Sequence, residues 1–216
     1  MSVLEGFAIS NMIQTIIIQK RNGSLVPFEV EKVYRTIQRA CDMLDGCDPR
    51  SLEGDVHRQL HHEMSSVELM KTIIQVAVEK TSVEQPKWQF VAARLLLADR
   101  YKEAARHRGY ADFGYGDFLA LIERLEAIGR YGKYIRKAYT NEEIRELSRY
   151  MRPDRDFLFN YVGLKQLMDR YVIRGEQGET LELPQELFMG VAMHLAMHEA
   201  DRVQRAKQFY TMCSQS

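Results

Sequence analysis

Apolar residues recur along most of the chain at the three- and four-residue spacing of an amphipathic helix. Val30, Val33, Ile37 and Cys41 form one such run, which ends near Gly46. Serine, proline or threonine begins several of the later runs, as expected of helix starts. The pattern predicts helices beginning near residues 29, 49, 65 or 66 and 82, and helices over 118–128, 141–150, 160–170, 184–198 and 200–212.

Two short segments favour strands instead. The β-branched run 16–18 is followed by Lys20 and Arg21, an Asn22-Gly23 turn and a second short strand, which together predict a hairpin with a basic tip. A smaller hairpin is predicted over residues 171–183.

Glycine and aromatic residues interrupt the helical spacing between residues 106 and 117. The segment could stack nucleic-acid bases, but Asp112 and Asp117 flank it and it has little basic support, so a linker is the preferred interpretation. The sequence therefore predicts a mainly α (α+β) fold, with one domain over 12–105, a linker over 106–117 and a helical domain over 118–216.

Charge and cysteine content narrow the class of protein. The 216 residues include 30 Lys plus Arg and 30 Asp plus Glu, a balance that argues against duplex nucleic acid or an anionic membrane as the main partner. Residues 1–11 lack the pattern of a secretory segment, and no run of 18 apolar residues occurs. The odd cysteine count, without a CxxC pair, is typical of reduced thiols, so we expect a soluble cytoplasmic protein.

Metal binding and thiol chemistry have weak candidates. His57 and His61 are spaced to share a metal, as is a second pair, His194 and His198, but neither pair has an obvious third ligand. Cys41 and Cys47 are expected to be buried thiols, and Cys213 lacks a partner for redox chemistry. No metal site and no catalytic residue are predicted.

The hairpin carries the clearest candidate chemistry. Its turn reverses the backbone where Lys20 and Arg21 leave the first strand, and Lys32 lies one turn into the following helix. Three cations beside a helix start suit the phosphates of a nucleoside triphosphate. An ordinary surface hairpin with solvated cations is the alternative.

Segments in both halves resemble one family. The hairpin and residues 84–95 resemble the ATP-cone, a regulatory nucleotide-binding module. Residues 152–161, 183–189 and 205–210 resemble the all-helical segment that precedes the catalytic barrel of class I ribonucleotide reductase large subunits. These segments occur in the order that the family uses, and the resemblance covers about residues 12 to 212.

The resemblance implies an ATP-cone, built from a β-hairpin and a four-helix bundle, followed by an all-helical domain with one small hairpin. It implies the N-terminal portion of a ribonucleoside-diphosphate reductase large subunit, with an ATP or dATP activity site and without the catalytic barrel and its cysteines. The implied partners are the barrel part of the large subunit, in the same or a separate chain, the radical-generating small subunit and further copies of the chain. Mg²⁺ is a candidate companion of the nucleotide.

The resemblance also implies a set of nucleotide-binding residues. Lys20, Arg21, Lys32 and Lys102 would bind phosphate, and Glu29 would accept a hydrogen bond from the adenine amino group. The apolar members of the set would be walls for the base or plain core, and Ser66 keeps the hydroxyl of a threonine of the family. The complete set is Ile18, Lys20, Arg21, Glu29, Lys32, Val33, Ser66 and Lys102.

Two positions depart from the family pattern. Well-studied cones have histidines where this chain has Met70 and Asp99, so one donor is lost and one negative charge is added near the expected phosphates. A scaffold half of a split reductase, with a cone that no longer binds nucleotide, is therefore the alternative function. A third reading, a cone regulator of transcription, would need a zinc ribbon or a basic DNA-binding face.

Overall fold

The structure is a computed structural model that describes residues 16–110 and 113–215. The predictions made for residues 1–11, for the start of the predicted domain at 12–15 and for linker residues 111–112 lie outside the described residues. Within the described part, no helix combines the length and the apolar character needed to cross a membrane.

Helices form most of the described chain, and a small sheet lies near its beginning. In chain order the elements are β1 (Ile17–Gln19), β2 (Leu25–Pro27), α1 (Val30–Cys41), α2 (Pro49–His57), β3 (Glu63–Ser65), α3 (Ser66–Glu79), α4 (Trp88–Arg108), α5 (Phe118–Ala127), α6 (Tyr134–Ala138), α7 (Asn141–Tyr150), a 3-10 helix (Pro153–Leu158), α8 (Tyr161–Arg170), α9 (Pro184–Ala196) and α10 (Arg202–Ser214). The predicted mainly α fold with a small β component is confirmed.

The predicted basic hairpin is confirmed. β1 and β2 are antiparallel, with Ile18 opposite Val26. The turn closes through a hydrogen bond from the Gly23 amide to the Lys20 carbonyl oxygen at 2.9 Å, and Gly23 has a φ of 83°. Only glycine adopts that backbone region without steric cost, which explains the Asn-Gly sequence at the tip.

A third strand was missing from the prediction. β3 pairs in parallel with β1, with Met64 opposite Ile18, and the sheet has the order β2-β1-β3. β3 is only three residues long and shows no usable alternation in the sequence. A parallel partner distant in the chain is defined by tertiary packing rather than by a local turn signal, so the predicted two-stranded unit was incomplete.

The predicted start of α4 was wrong. The helix begins at Trp88 rather than just after Ser82, because Gln85 precedes a proline and is therefore disfavoured in the α conformation. At its other end α4 continues past Ala105 to Arg108, three residues into the predicted linker. Gly109, with a φ of 77°, ends it in the left-handed conformation.

The predicted helices of the second half are present as α5, α7, α8, α9 and α10, with ends shifted by a few residues. A capping box begins α7: the Glu143 amide donates to Thr140 Oγ1 at 3.2 Å, and the Thr140 amide donates to Glu143 Oε2 at 2.7 Å. The predicted small hairpin is reduced to one antiparallel bridge between Arg174 and Thr180. The one-turn helix α6 and the 3-10 helix were not predicted because they are too short to establish a period.

Among the described residues, two hydrophobic cores hold the chain together. The first lies among α1, α2, α3 and α4, and α8 adds Leu164 and Met168 to it. The second lies among α5, α7, α9 and α10 and includes Ile122 and Tyr210. Because the first core takes residues from both sides of segment 106–117, the predicted division at 12–105, 106–117 and 118–216 stays a prediction.

Candidate functional site

A cavity of about 380 Å³ lies between the hairpin, α1 and the start of α3. We call it the first cavity. Phe28, Leu69 and Ile73 give it an apolar wall, and lysines stand at its rim. Seven of the eight residues singled out in the sequence line it: Ile18, Lys20, Glu29, Lys32, Val33, Ser66 and Lys102.

The local structure explains how these side chains meet. Ile18 lies in β1, and Lys20 is the first residue after the strand; both side chains line the first cavity. Ile18 and Val33 are 5% and 7% exposed, and they serve both as core residues and as cavity wall. The two interpretations that the sequence offered for them are therefore compatible.

Two helices begin at the first cavity. The side chain of Ser65 caps α3 by accepting a hydrogen bond from the Glu68 amide at 3.0 Å, which leaves the hydroxyl of Ser66 available to the cavity. Glu29 precedes α1 and makes no side-chain capping bond. The positive ends of both helix dipoles therefore lie near this cavity, an arrangement that favours an anion.

Lys32 and Glu29 are paired with each other. Lys32 Nζ lies 2.6 Å from Glu29 Oε1, and this hydrogen bond is the main cause that lowers the pKa of Glu29. The sequence had assigned Lys32 to phosphate and Glu29 to the base separately. Lys20 and Lys102, by contrast, have no carboxylate partner within ion-pair distance in the described part of the chain.

The eighth residue, Arg21, does not line the first cavity. It lines an adjoining cavity of about 620 Å³, which we call the cationic cavity. The two cavities share Lys20, Ser66, Met70 and Lys102. A ligand in the first cavity can therefore extend past the two lysines toward Arg21.

Asp99 lies in the cationic cavity and is 9% exposed. Its Oδ1 is 2.6 Å from Nη2 of Arg21. The added negative charge that the sequence indicated is thus present, but it is compensated by one of the predicted phosphate ligands. Met70, the other departure, contributes apolar surface where the cavities meet.

A second group of polar residues, which the sequence did not reveal, is buried between α4 and the second half. Asp156 is 1% exposed and accepts hydrogen bonds from the hydroxyls of Tyr101 and Tyr115 at 2.5 and 2.6 Å and from Gln185 Nε2 at 2.7 Å. Burial outweighs these bonds and raises the pKa of Asp156 to about 6.

Glu182 and Glu186 are fully buried near the start of α9. Glu182 accepts from the Tyr131 hydroxyl at 2.7 Å and the Ile173 amide at 3.0 Å, and Glu186 binds Arg108. Burial is the main cause that raises the pKa of each carboxyl to about 7. All three carboxyls have hydrogen-bond partners, so this buried group stabilises the contact between α4 and the second half of the chain. Only its residue types were visible in the sequence, because burial depends on helices distant in the chain.

Thiols and histidines were the remaining candidates. Cys41 and Cys47 are buried and free, as expected, and burial raises the pKa of Cys41 to about 12. Cys213 is a half-buried free thiol in α10. Within residues 16–110 and 113–215, no three His, Cys, Asp or Glu side chains are grouped as metal ligands.

Comparison with known proteins supplies the family. A family profile described as ATP cone domain matches residues 16–103, and one described as Ribonucleotide reductase, all-alpha domain matches residues 157–216. The chain belongs to the ribonucleotide reductase large-subunit family. The resemblance read from the hairpin and from the later segments is thereby confirmed.

Full-length relatives agree. The chain is 34% identical over 199 residues to the ribonucleoside-diphosphate reductase subunit alpha of Helicobacter pylori. The aligned region covers 92% of this chain and 24% of that protein. The chain is 43% identical over 146 residues to the subunit of Treponema pallidum, spanning 67% of this chain and 17% of that protein. For the Escherichia coli protein the identity is 28% over 206 residues, with 94% and 26% covered. The chain spans about a quarter of the length of such relatives, at their N-terminal end.

Proposed function

We propose that the chain is the nucleotide-sensing N-terminal portion of a ribonucleoside-diphosphate reductase large subunit, with ATP and dATP as its effectors. The observation that carries the proposal is that seven of the eight residues implied by the family resemblance line one cavity that has an apolar wall and a cationic rim. The family matches support the effector class, since an ATP cone covers residues 16–103.

In this proposal the adenine lies against Phe28, Leu69 and Ile73, and the phosphates run toward the cationic cavity. Lys20 and Lys102 bind the phosphates, because both lysines line the two cavities and neither is paired with a carboxylate in the described residues. Glu29 accepts from the adenine amino group, and Lys32 holds that carboxylate in its charged form. Mg²⁺ would accompany the triphosphate.

Nucleotide binding would regulate the enzyme by thermodynamic linkage between binding and assembly. A nucleotide shifts the assembly of a reductase only if its contacts differ between the active and the inhibited state. We propose that ATP favours an active complex with the radical-generating small subunit and that dATP favours an inhibited oligomer. The barrel part of the large subunit, in the same or another chain, completes the enzyme.

Isothermal titration calorimetry of the 216-residue chain with ATP and dATP tests the proposal. Lys20→Ala and Lys102→Ala should each weaken binding about tenfold or more, since a charge-assisted hydrogen bond contributes about 1.5–3 kcal/mol. Lys207→Ala is the matched control, because Lys207 pairs with Glu146 on α7, away from both cavities. Affinity in that control should equal that of the parent.

A second candidate function, a scaffold with a degenerate cone, is favoured by one observation: Arg21 is already paired with Asp99. Under that candidate, a folded chain would give no heat of binding with millimolar ATP or dATP. The same result would end the effector proposal.

A further inference from the structure

The ion pair of Arg21 and Asp99 joins the hairpin turn to α4 across 78 residues of sequence. The side chains are 24% and 13% exposed, so the pair is partly shielded from water. Arg100 lies 3.9 Å from the other oxygen of Asp99, but its Nη1 is hydrogen-bonded to Glu103. Arg21 is therefore the main partner of Asp99.

The pair lies where a polyphosphate would extend. The cationic cavity is lined by four cations and one carboxylate, namely Lys20, Arg21, Lys102 and Arg106 against Asp99. A ligand leaving the first cavity meets the shared lysines first and the ion pair beyond them. While Asp99 holds Arg21, the pair presents almost no net charge to a phosphate.

We propose that Asp99 is a positioning and selectivity residue: it withholds Arg21 from the nucleotide and so sets how strongly the site discriminates by the number of phosphates. This inference rests on the nucleotide function proposed above. A short phosphate tail is bound by Lys20 and Lys102 alone. A triphosphate also reaches the ion pair. It can bind Arg21 there only by sharing the guanidinium with Asp99, and this brings a phosphate close to the Asp99 carboxylate.

A purely structural role for the pair would give different results. If Asp99 only fastened the hairpin to α4, neutralising it would loosen Arg21 and weaken all nucleotides alike. In the selectivity role, neutralising Asp99 strengthens binding, and the gain grows with the charge of the ligand. The dependence on phosphate number therefore separates the two roles.

The experiment is a calorimetric titration of AMP, ADP and ATP into the 216-residue chain and into Asp99→Asn, Arg21→Ala and the double variant. Asp99→Asn should bind ATP about fivefold more tightly than the parent, as expected for removal of one partly solvated opposing charge, and AMP within about twofold. Arg21→Ala should bind ATP at least about tenfold more weakly, because the shared guanidinium is lost and the unpaired Asp99 carboxylate then faces the phosphates. The double variant should recover part of that loss.

Glu146→Gln is the matched control, since it neutralises the carboxylate of another 2.6 Å pair, with Lys207, outside the cavities. Its affinities should equal those of the parent. Equal or weaker ATP binding in Asp99→Asn, with the parent binding ATP, would overturn the selectivity role and leave the effector function standing. If Asp99→Asn binds ATP and the parent does not, the result would support the selectivity role of Asp99 and end the effector function for the native chain. No binding by either chain would end both.

Circular dichroism melting establishes which variants fold. Should Asp99→Asn not fold, the double variant is compared with Arg21→Ala instead, because that pair also differs only in the charge of residue 99. The selectivity role requires the double variant to bind ATP more tightly than Arg21→Ala and AMP within about twofold of it. Equal ATP affinity in these two variants would overturn it.

Discussion

Arg108 donates two hydrogen bonds from Nη1 to the carboxylate of Glu186, at 2.8 and 2.9 Å, and thereby joins the last turn of α4 to the first turn of α9. The two side chains are 5% and 0% exposed. Arg108 also donates to the carbonyl oxygen of Asp117 at 3.2 Å. Helix α4, which contains Asp99, is thus attached to α9 in the all-α region. A displacement of α4 by a nucleotide would therefore act directly on α9.

Arg108→Met should lower the free energy of unfolding by about 3–5 kcal/mol, because it leaves the Glu186 carboxylate buried without its counter-charge. Urea denaturation followed by circular dichroism measures this change. Arg152→Ala is the control, since Arg152 pairs with Asp154 where both side chains are about 60% exposed, and it should cost about 1 kcal/mol or less. Similar losses of unfolding free energy in the two variants would contradict a stabilising role of the buried pair of Arg108 and Glu186.

Asp156→Asn should remove a pH dependence of stability. The folded pKa of about 6 is above the usual 3.8, so between these values the native state binds more protons than the unfolded state. The contribution of Asp156 to stability is therefore fully present below about pH 4 and is lost as the pH rises through about 6, by about 3 kcal/mol in total. Asparagine fills the same space and does not titrate.

The difference in unfolding free energy between the parent and Asp156→Asn should accordingly shift in favour of the variant from pH 4 to pH 6.5. Denaturation curves at closely spaced pH values measure it. A constant difference across this range would show that Asp156 keeps an ordinary pKa.

Leu164→Ala should destabilise the first core although Leu164 lies on α8, beyond the predicted linker. The side chain is fully buried against the cone helices, and such truncations cost about 2–5 kcal/mol. Val162→Ala on the same helix is the control, because Val162 is 71% exposed. Thermal unfolding should show one transition that moves down in Leu164→Ala and stays near the parent value in Val162→Ala.

The parent could instead show two separate unfolding transitions. If only the transition at the higher temperature responded to Leu164→Ala, this result would contradict a core shared by both halves. That outcome would favour the independent domains that the sequence suggested.

Thiol labelling should distinguish the three cysteines. At pH 8 Cys213 should react with an aromatic disulfide reagent under native conditions, because it is half-buried rather than enclosed. Cys41 and Cys47 should react only after denaturation, since burial raises the pKa of both thiols and the thiolate is the reactive form. Rapid labelling of all three in the native chain would contradict the packing of α1 against α2.

Local chemistry in the sequence determined much of this protein. The Asn22-Gly23 turn, the capping box at Thr140 and the helical spacing of apolar residues each depend on neighbours within a few positions. These signals correctly predicted the hairpin and most helices. The resemblance to the ATP-cone, rather than these signals, supplied the set of nucleotide-binding residues. Seven of its eight members line the first cavity, although nucleotide binding there stays a prediction.

Only the tertiary structure decided what depends on partners distant in the chain. The parallel pairing of β3 with β1, the ion pair of Arg21 with Asp99 and the burial of Asp156 and Glu186 all join segments that no local pattern connects. Such contacts change charge, pKa and exposure without leaving a periodic trace in the sequence. A cation that reads as a free phosphate ligand can therefore be engaged by a carboxylate 78 residues away.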